Sequence, residues 1–270
     1  MEKYIDFMWL ALLGAGIIAV TRFLLIRGIV LASTHWRLRK KVQGQILGYA
    51  TSTPELVGTV ATAAKGLLGA GLWNVVASNV INVLLFLSAS MVYRRTAELK
   101  QRKFFDEIGF SLGTIVLPTL LVLNSQWAKS PWVALLLFGF FLVYLWVDKK
   151  LNPQEEEESA PPVEDGNQGW VGIGLIMAGI VGITLLGNYL GVVAEQIVVQ
   201  LQIPEAAIGW VLGVITSLPE LTSFYAVFAA AQATDGDEHS QQNLDNLAAS
   251  NMSNTGLIYP LGIVIFVLVT

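Results

Sequence analysis

The chain has 270 residues, of which 54% are hydrophobic and 13% are charged, and its formal net charge is −4. A soluble domain carries about 25% charged residues, so the composition excludes a soluble globular domain and indicates an integral membrane protein. The absence of cysteine excludes disulfides, thiol catalysis and thiolate metal centres. Nothing in the sequence resembles a nucleic-acid surface, so the expected partners are membrane lipid and inorganic cations, with no nucleic acid.

The apolar residues fall in long blocks of about 20 residues, the length that a helix needs to cross a bilayer. They lack the alternation of polar and apolar residues that is typical of barrel strands. The fold class predicted is an all-α membrane protein with about eight transmembrane helices. The predicted spans are 6–30, 45–64, 68–92, 106–124, 131–148, 169–193, 207–231 and 246–269.

The segment 151–168 separates the fifth span from the sixth, and it contains the run Glu155 to Glu158. This composition predicts a solvated acidic linker, with a first repeat of about five helices in 1–150 and a second, of about three helices, in 169–270. A calcium-sensing role for the glutamate run is the alternative. The linker is favoured because blocks of like charge normally stay disordered.

Basic residues lie mostly on one side of the predicted spans. The loops after the first, third and fifth spans contain Arg37, Arg39, Lys40, Lys41, Arg94, Arg95, Lys100, Arg102, Lys103, Lys149 and Lys150. The positive-inside rule places this side in the cytoplasm, together with the linker. The N-terminus is then outside, and we expect the plasma (inner) membrane as the location, with an internal membrane left open.

Two segments of the chain repeat each other. Residues 51–56 read TSTPEL and 216–221 read TSLPEL, and each is followed by a copy of NxxASNxxN, at 74–82 and at 246–254. Five predicted spans separate the starts of the two copies. Because this number is odd, the repeats are inverted in the membrane, an arrangement typical of secondary transporters.

Each repeat places a carboxylate inside an apolar span, which is costly and usually marks an ion or proton path. Thr51 and Glu55 are four residues apart, as are Thr216 and Glu220. On a helix each pair shares a face. The two motifs are therefore predicted to bring hydroxyl and carboxylate oxygens together.

The prolines of the motifs add carbonyl oxygens to this set. Pro54 and Pro219 lack an amide hydrogen, which frees the carbonyl groups of Ala50 and Ile215 from the helical ladder. In lipid, a freed carbonyl needs a polar cavity or another partner, and a bound cation is a natural one. The NxxASNxxN copies add polar stripes on one helix face, which either contribute further ligands or only bond helices together: Asn74, Ser78, Asn82 and Asn246, Ser250, Asn254.

Two carboxylates in a low-dielectric site must take up protons or bind cations. One divalent cation, two monovalent cations or two protons would each cancel their charge, so these ligands compete for one site. A set made of oxygens suits hard cations such as Ca²⁺ and argues against zinc or copper.

With their SNxxN elements, TSTPE and TSLPE resemble the two alpha repeats of the cation/calcium exchanger (CaCA) superfamily, of the sodium/calcium exchanger type. The resemblance extends over both halves of the chain. It implies an inverted-repeat helical bundle with a central cation site between the second, third, seventh and eighth helices, where the first and sixth helices slide to expose the site. The ligands that it implies are Thr51, Ser52, Glu55, Thr216, Ser217 and Glu220, completed by Ser78, Asn82, Ser250 and Asn254.

The chain departs from the family pattern at three points. The family usually has glycine just before each TS, where this chain has Ala50 and Ile215. Many sodium/calcium exchangers have an aspartate at the position of Asn254, so this chain has two central carboxylates rather than three. The family usually has ten helices, and the two beyond the eight predicted here would pack at the periphery.

The function predicted is a secondary antiporter that exchanges Ca²⁺ for Na⁺ or H⁺. It is not expected to be an enzyme or to carry a cofactor, since Ser52 and Ser217 have no nearby base and no phosphate loop is present. The alternative is a non-transporting membrane cation sensor or partner subunit that keeps the exchanger fold. Whether two copies pair as a homo-oligomer is left open.

Overall fold

The computed structural model describes residues 2–151, 167–231 and 237–270, and within them every regular element is helical. Most of the predicted acidic linker, 152–166, lies outside the described residues. Two π-helical segments, Thr21–Ile26 and Asn254–Ile258, connect α1 to α2 and α12 to α13. The α-helices are α1 Glu2–Val20, α2 Arg27–His35, α3 Lys40–Thr51, α4 Thr53–Ala64, α5 Leu68–Val92, α6 Phe105–Val122, α7 Ser125–Ala128, α8 Pro131–Leu151, α9 Gln168–Leu201, α10 Glu205–Thr216, α11 Leu218–Ala230, α12 Glu238–Ser253 and α13 Tyr259–Val269.

Seven helices among the described residues are long and apolar enough to cross a membrane, so the chain is an integral, multi-pass membrane protein. They are Ile5–His35, Leu68–Val92, Arg102–Val122, Pro131–Leu151, Gln168–Leu201, Glu205–Ala230 and Glu238–Val269. The predicted span at 45–64 is not among them. It is divided at Ser52 into α3 and α4, of 12 residues each. The span Glu205–Ala230 is divided in the same way at Ser217, but 45–64 contains more polar residues, including four threonines, and is therefore less apolar.

Other spans begin or end away from their predicted limits. The predicted last span starts at 246, whereas α12 begins at Glu238. The residues between are polar but buried, including Ser240, Asn243 and Asp245. Hydropathy cannot detect such a segment, because neighbouring helices rather than lipid surround it. The first and sixth spans are also longer than predicted, reaching His35 and Leu201.

The two ends of the bundle are distinguished by the polar contacts that they contain. At one end, here called the basic face, ion pairs join Lys41 to Asp148 and Lys103 to Asp237. These contacts bring together the start of α3, the end of α8, the segment after α5 and the start of α12. At the opposite face, Glu205 accepts a hydrogen bond from the Ala70 amide.

The second repeat runs in the opposite direction to the first. The helix formed by α1 and α2 ends at the basic face, where His35 lies close to Gly169 in the first turn of α9. α9 therefore begins where α2 ends and runs back to the opposite face. The predicted inverted-repeat bundle is confirmed.

Equivalent glycine pairs lie at two close helix crossings, one for each repeat. α3 packs on α12 through Gly44 and Gly48, and α10 packs on α5 through Gly209 and Gly213. A Cβ atom on Gly48 would lie 2.3 Å from the carbonyl oxygen of Asn246, so the two backbones are almost in contact. Small residues four apart permit this approach. The crossings place the polar stripes of α12 and α5 directly on the helix breaks.

Candidate functional site

The predicted site lies where two helices are interrupted. Ser52 separates α3 from α4, and Ser217 separates α10 from α11. Pro54 and Pro219 follow in the first turn of the second half-helix, where their missing amide hydrogens cannot continue the ladder. Each break therefore exposes the positive N-terminal end of a half-helix inside the bundle.

The two glutamates occupy these first turns, but their threonine partners differ from the prediction. Each threonine contacts the glutamate of the other repeat: Thr216 lies at the Glu55 carboxyl group, and Thr51 lies at that of Glu220. The sequence predicted contacts within each motif, whereas these contacts join the two motifs. The contacts combine residues of both repeats, and the carboxyl groups of Glu55 and Glu220 are close enough to interact electrostatically.

The serines of the polar stripes complete the connection between the repeats. The Ser250 hydroxyl donates to Glu220 Oε1 at 3.0 Å and lies 2.9 Å from the Ser52 hydroxyl. On the other side, the Ser78 hydroxyl lies 3.2 Å from that of Thr216. All of these side chains are buried. The hydroxyl groups thus link α3 to α12 and α5 to α10 around the carboxylates.

The last asparagine of each NxxASNxxN motif donates a hydrogen bond to the second asparagine of the motif in the other repeat. Asn82 Nδ2 donates to Asn251 Oδ1 at 3.1 Å, and Asn254 Nδ2 donates to Asn79 Oδ1 at the same distance. These bonds fix the amide groups and leave the Oδ1 atoms of Asn82 and Asn254 without a partner. The stripes therefore bond helices together and also present free oxygens.

Several buried oxygens of the predicted site have no hydrogen-bond partner of normal geometry. Buried polar atoms are usually satisfied, and an unsatisfied one needs a physical explanation. These atoms are Glu55 Oε1 and Oε2, Glu220 Oε2, Ser217 Oγ, Asn82 Oδ1 and Asn254 Oδ1. All are potential ligands of a hard cation, and only the Ser217 hydroxyl carries a hydrogen that it can donate to another of them. A cation would satisfy them together.

None of the ion pairs in the described ranges involves either glutamate. Glu55 and Glu220 are both completely buried. Arg22, which lies in the π-helical segment after α1, is exposed and stacks 5.7 Å from the Phe23 ring. The carboxylates are therefore left for a mobile positive charge.

The two predicted carbonyl ligands are not equivalent. The Ala50 carbonyl, freed by Pro54, accepts a hydrogen bond from the Thr53 hydroxyl at 2.7 Å. The equivalent position before Pro219 is Leu218, which has no hydroxyl to offer the Ile215 carbonyl. The Ala50 carbonyl, predicted to be free, is thus bonded, because the residue before the proline of its TSxPE motif is a threonine.

Sequence reasoning missed two groups that shape the site. Asn79 and Asn251 lie in the repeated NxxASNxxN motif, and their role required knowing which helices cross. The glycine pairs Gly44–Gly48 and Gly209–Gly213 were detectable, since the GxxxG spacing is a signal for close helix packing. Each pair precedes its TSxPE motif by the same number of residues.

The comparison with protein families agrees with this architecture. The model of the sodium/calcium exchanger protein family matches residues 7–148 and 171–269, which include both TSxPE motifs and both stripes. The chain belongs to the sodium/calcium exchanger family.

The individual exchangers that match this chain have low sequence identity to it. The sodium/calcium exchanger MaX1 of Methanosarcina acetivorans is 28% identical over 102 residues, which are 38% of this chain and 29% of that protein. The match thus spans less than a third of that relative. Two structures of the sodium-calcium exchanger NCX_Mj, soaked with Na⁺ and Sr²⁺, match 97% of this chain and 83% of theirs. Their TM-scores are 0.57 and 0.56, with 19% and 21% identity, which shows a common fold.

Proposed function

We propose that this exchanger-family protein is a secondary antiporter that exchanges Ca²⁺ for Na⁺ or H⁺ at the site between its repeats. The observation that carries the proposal is the pair of buried carboxylates, Glu55 and Glu220, on inverted half-helices and surrounded by unpartnered oxygens. Their charge of −2 is cancelled by one Ca²⁺, two Na⁺ or two protons. These ligands cannot occupy the site together without excess charge, and exchange follows from this competition.

The proposed ligands have different roles. The glutamates provide the charge, while the hydroxyls of Thr51, Thr216, Ser78 and Ser250 provide neutral oxygens that link the repeats. The free oxygens of Asn82, Asn254 and Ser217 extend the coordination shell, and the Ile215 carbonyl is more available to it than that of Ala50. Ser52 acts mainly by holding Ser250.

The helices that would expose the site in turn are the one formed by α1 and α2, and α9. They pack against each other through glycines: a Cβ atom on Gly28 would lie 2.6 Å from the carbonyl oxygen of Gly172. Aliphatic side chains fill the rest of the contact, among them Ile17, Leu25 and Ile183, and apolar contacts are not directional, so they do not fix one register of the two helices. We propose this pair as the moving element, with the basic face in the cytoplasm and the N-terminus outside the plasma membrane.

The test is Ca²⁺ flux in proteoliposomes of the purified chain, under a Na⁺ gradient, a pH gradient or neither. Flux driven by one gradient is the expected result, and it identifies the counter-ion. The double variant Glu55→Gln with Glu220→Gln removes the charge while keeping the shape, so it is expected to abolish flux. Glu195→Gln is the matched control, because that glutamate lies at the opposite face in a half-exposed pair with Lys65.

Persistent flux in the double variant would refute the central site.

A second candidate function is a cation sensor or partner subunit, which binds cations without transporting them. It is favoured by the cross-repeat bonds of Ser52 to Ser250 and of Asn254 to Asn79, since these tie together the elements that surround the site. Saturable Ca²⁺ binding with no flux under any gradient would support that function instead.

A further inference from the structure

A second group of acidic side chains lies at the basic face. Asp106 and Glu107 are in the first turn of α6, and Asp148 is near the end of α8. Oxygen atoms of these three carboxylates all lie within 4.8 Å of one another. Glu107 is only 1% exposed, so the group extends into the bundle rather than lying on its surface.

A fourth carboxylate, Asp245 on α12, joins this group through an amide. Gln241 Nε2 donates to Glu107 Oε1 at 3.1 Å and to Asp245 Oδ2 at 3.0 Å. Asp245 is completely buried. The neutral Gln241 amide holds two buried carboxylates together but cannot offset their charge.

Two buried oxygens on residues beside the group have no hydrogen-bond partner. One is Asp245 Oδ1, and the other is the hydroxyl of Tyr144, which is 1% exposed. Tyr144 shares a buried cluster with Ala248, one turn after Asp245 on α12, and its ring lies 5.2 Å from that of Phe110, one turn after Glu107 on α6. Its oxygen is a neutral hydroxyl rather than a carboxylate, and the residue lies on α8 about one turn before Asp148, so it adds an unpartnered oxygen of another kind beside the acidic residues.

A basic residue already occupies one edge of the group. Lys41 pairs with Asp148 at 2.5 Å, and Gln45 donates to the other oxygen of Asp148 at 3.0 Å. Lys41 therefore sits beside Asp148, while Asp245 on α12 retains its free oxygen. The Lys41 ammonium group would therefore compete with any cation that the carboxylates bind.

We propose that Asp106, Glu107, Asp148 and Asp245, with Tyr144, form a second site for a hard divalent cation at the basic face. Carboxylate and hydroxyl oxygens are ligands that Ca²⁺ accepts in sets of about six to eight. The site is separate from the central one, because Asp245 precedes Ser250 by five residues, or about 7.5 Å along the helix. Its existence does not depend on transport.

The test is equilibrium binding of ⁴⁵Ca²⁺ to the full chain in detergent. The variant Glu55→Gln with Glu220→Gln removes the central charges and is expected to retain one Ca²⁺ per chain. Adding Asp245→Asn and Glu107→Gln is expected to remove that remaining ion. Asp245→Asn added alone is expected to weaken its binding about 10-fold, the usual scale for losing one group of a metal site.

Lys41→Gln provides a test by gain of affinity, which misfolding cannot imitate. Removing the competing charge is expected to tighten Ca²⁺ binding several-fold in the chain that lacks the central carboxylates. Glu195→Gln, at the opposite face, is the control and is expected to leave binding unchanged.

Three results would overturn the proposal. They are no Ca²⁺ bound once the central charges are removed, binding that survives the quadruple substitution, and binding that Lys41→Gln does not tighten. The first would mean that the cluster holds protons rather than a cation. Failure of the proposed antiport would be seen in a different measurement, the flux assay, as Ca²⁺ flux that persists when Glu55 and Glu220 are replaced.

Discussion

Gly48→Ala tests whether the close crossing of α3 and α12 holds the central site together. The new Cβ would lie 2.3 Å from the Asn246 carbonyl oxygen and 2.8 Å from the Ser250 amide nitrogen, whereas ordinary contacts begin at 3.4 Å. The helices must therefore separate by about 1 Å, and such overpacking typically costs about 1–3 kcal/mol. The same movement would lengthen the 2.9 Å contact between Ser52 and Ser250 and carry Thr51 away from Glu220.

The assay combines thermal unfolding in detergent with Ca²⁺ affinity. The variant is expected to unfold at a lower temperature and to bind Ca²⁺ about 10-fold more weakly, as when a positioning contact at a metal site is lost. Gly139→Ala on α8 is the matched control, since its Cβ would meet nothing within 4 Å. It is expected to leave affinity unchanged and to stabilise the helix by about 0.5–1 kcal/mol. If Gly48→Ala and Gly139→Ala had the same unfolding temperature and the same Ca²⁺ affinity, the proposed role of the α3–α12 crossing would be refuted.

Asn254→Asp is expected to lower the thermal stability measured in choline and to make that stability depend more steeply on Na⁺, because it adds a buried charge and removes the amide that donates to Asn79 at 3.1 Å. An unchanged Na⁺ response would count against a cation beside this residue. Thr53→Val keeps the side-chain shape but removes the 2.7 Å hydrogen bond to the Ala50 carbonyl, so it is expected to lower the free energy of unfolding by about 1 kcal/mol. Unaltered denaturant unfolding would show that this carbonyl has another partner.

The sequence alone predicted the features that are encoded locally. Apolar blocks of membrane-spanning length indicated a helical bundle, and the duplicated TSxPE and NxxASNxxN motifs indicated inverted repeats. The buried position of Glu55 and Glu220 followed from their apolar surroundings. These inferences succeed because helix length, proline breaks and intramembrane charge depend on residues that are close together in the chain.

The polar part of α12 shows where local reasoning fails. Residues 238–245 are too polar for a hydropathy window, yet most of them are buried. Their environment is created by α3, α6 and α8, which are distant in sequence. The acidic cluster was missed for the same reason, since Glu107, Asp148 and Asp245 lie on three different helices.

The tertiary structure also decided which residues of the two motifs meet. The sequence placed Thr51 beside Glu55, whereas the fold places Thr51 at Glu220 and Thr216 at Glu55. A spacing of four residues specifies neighbours only while the helix is continuous, and each helix is interrupted between its threonine and its glutamate. The sequence therefore determined which oxygens are available for a cation. The inverted packing of the two repeats decided that oxygens from both motifs lie close together.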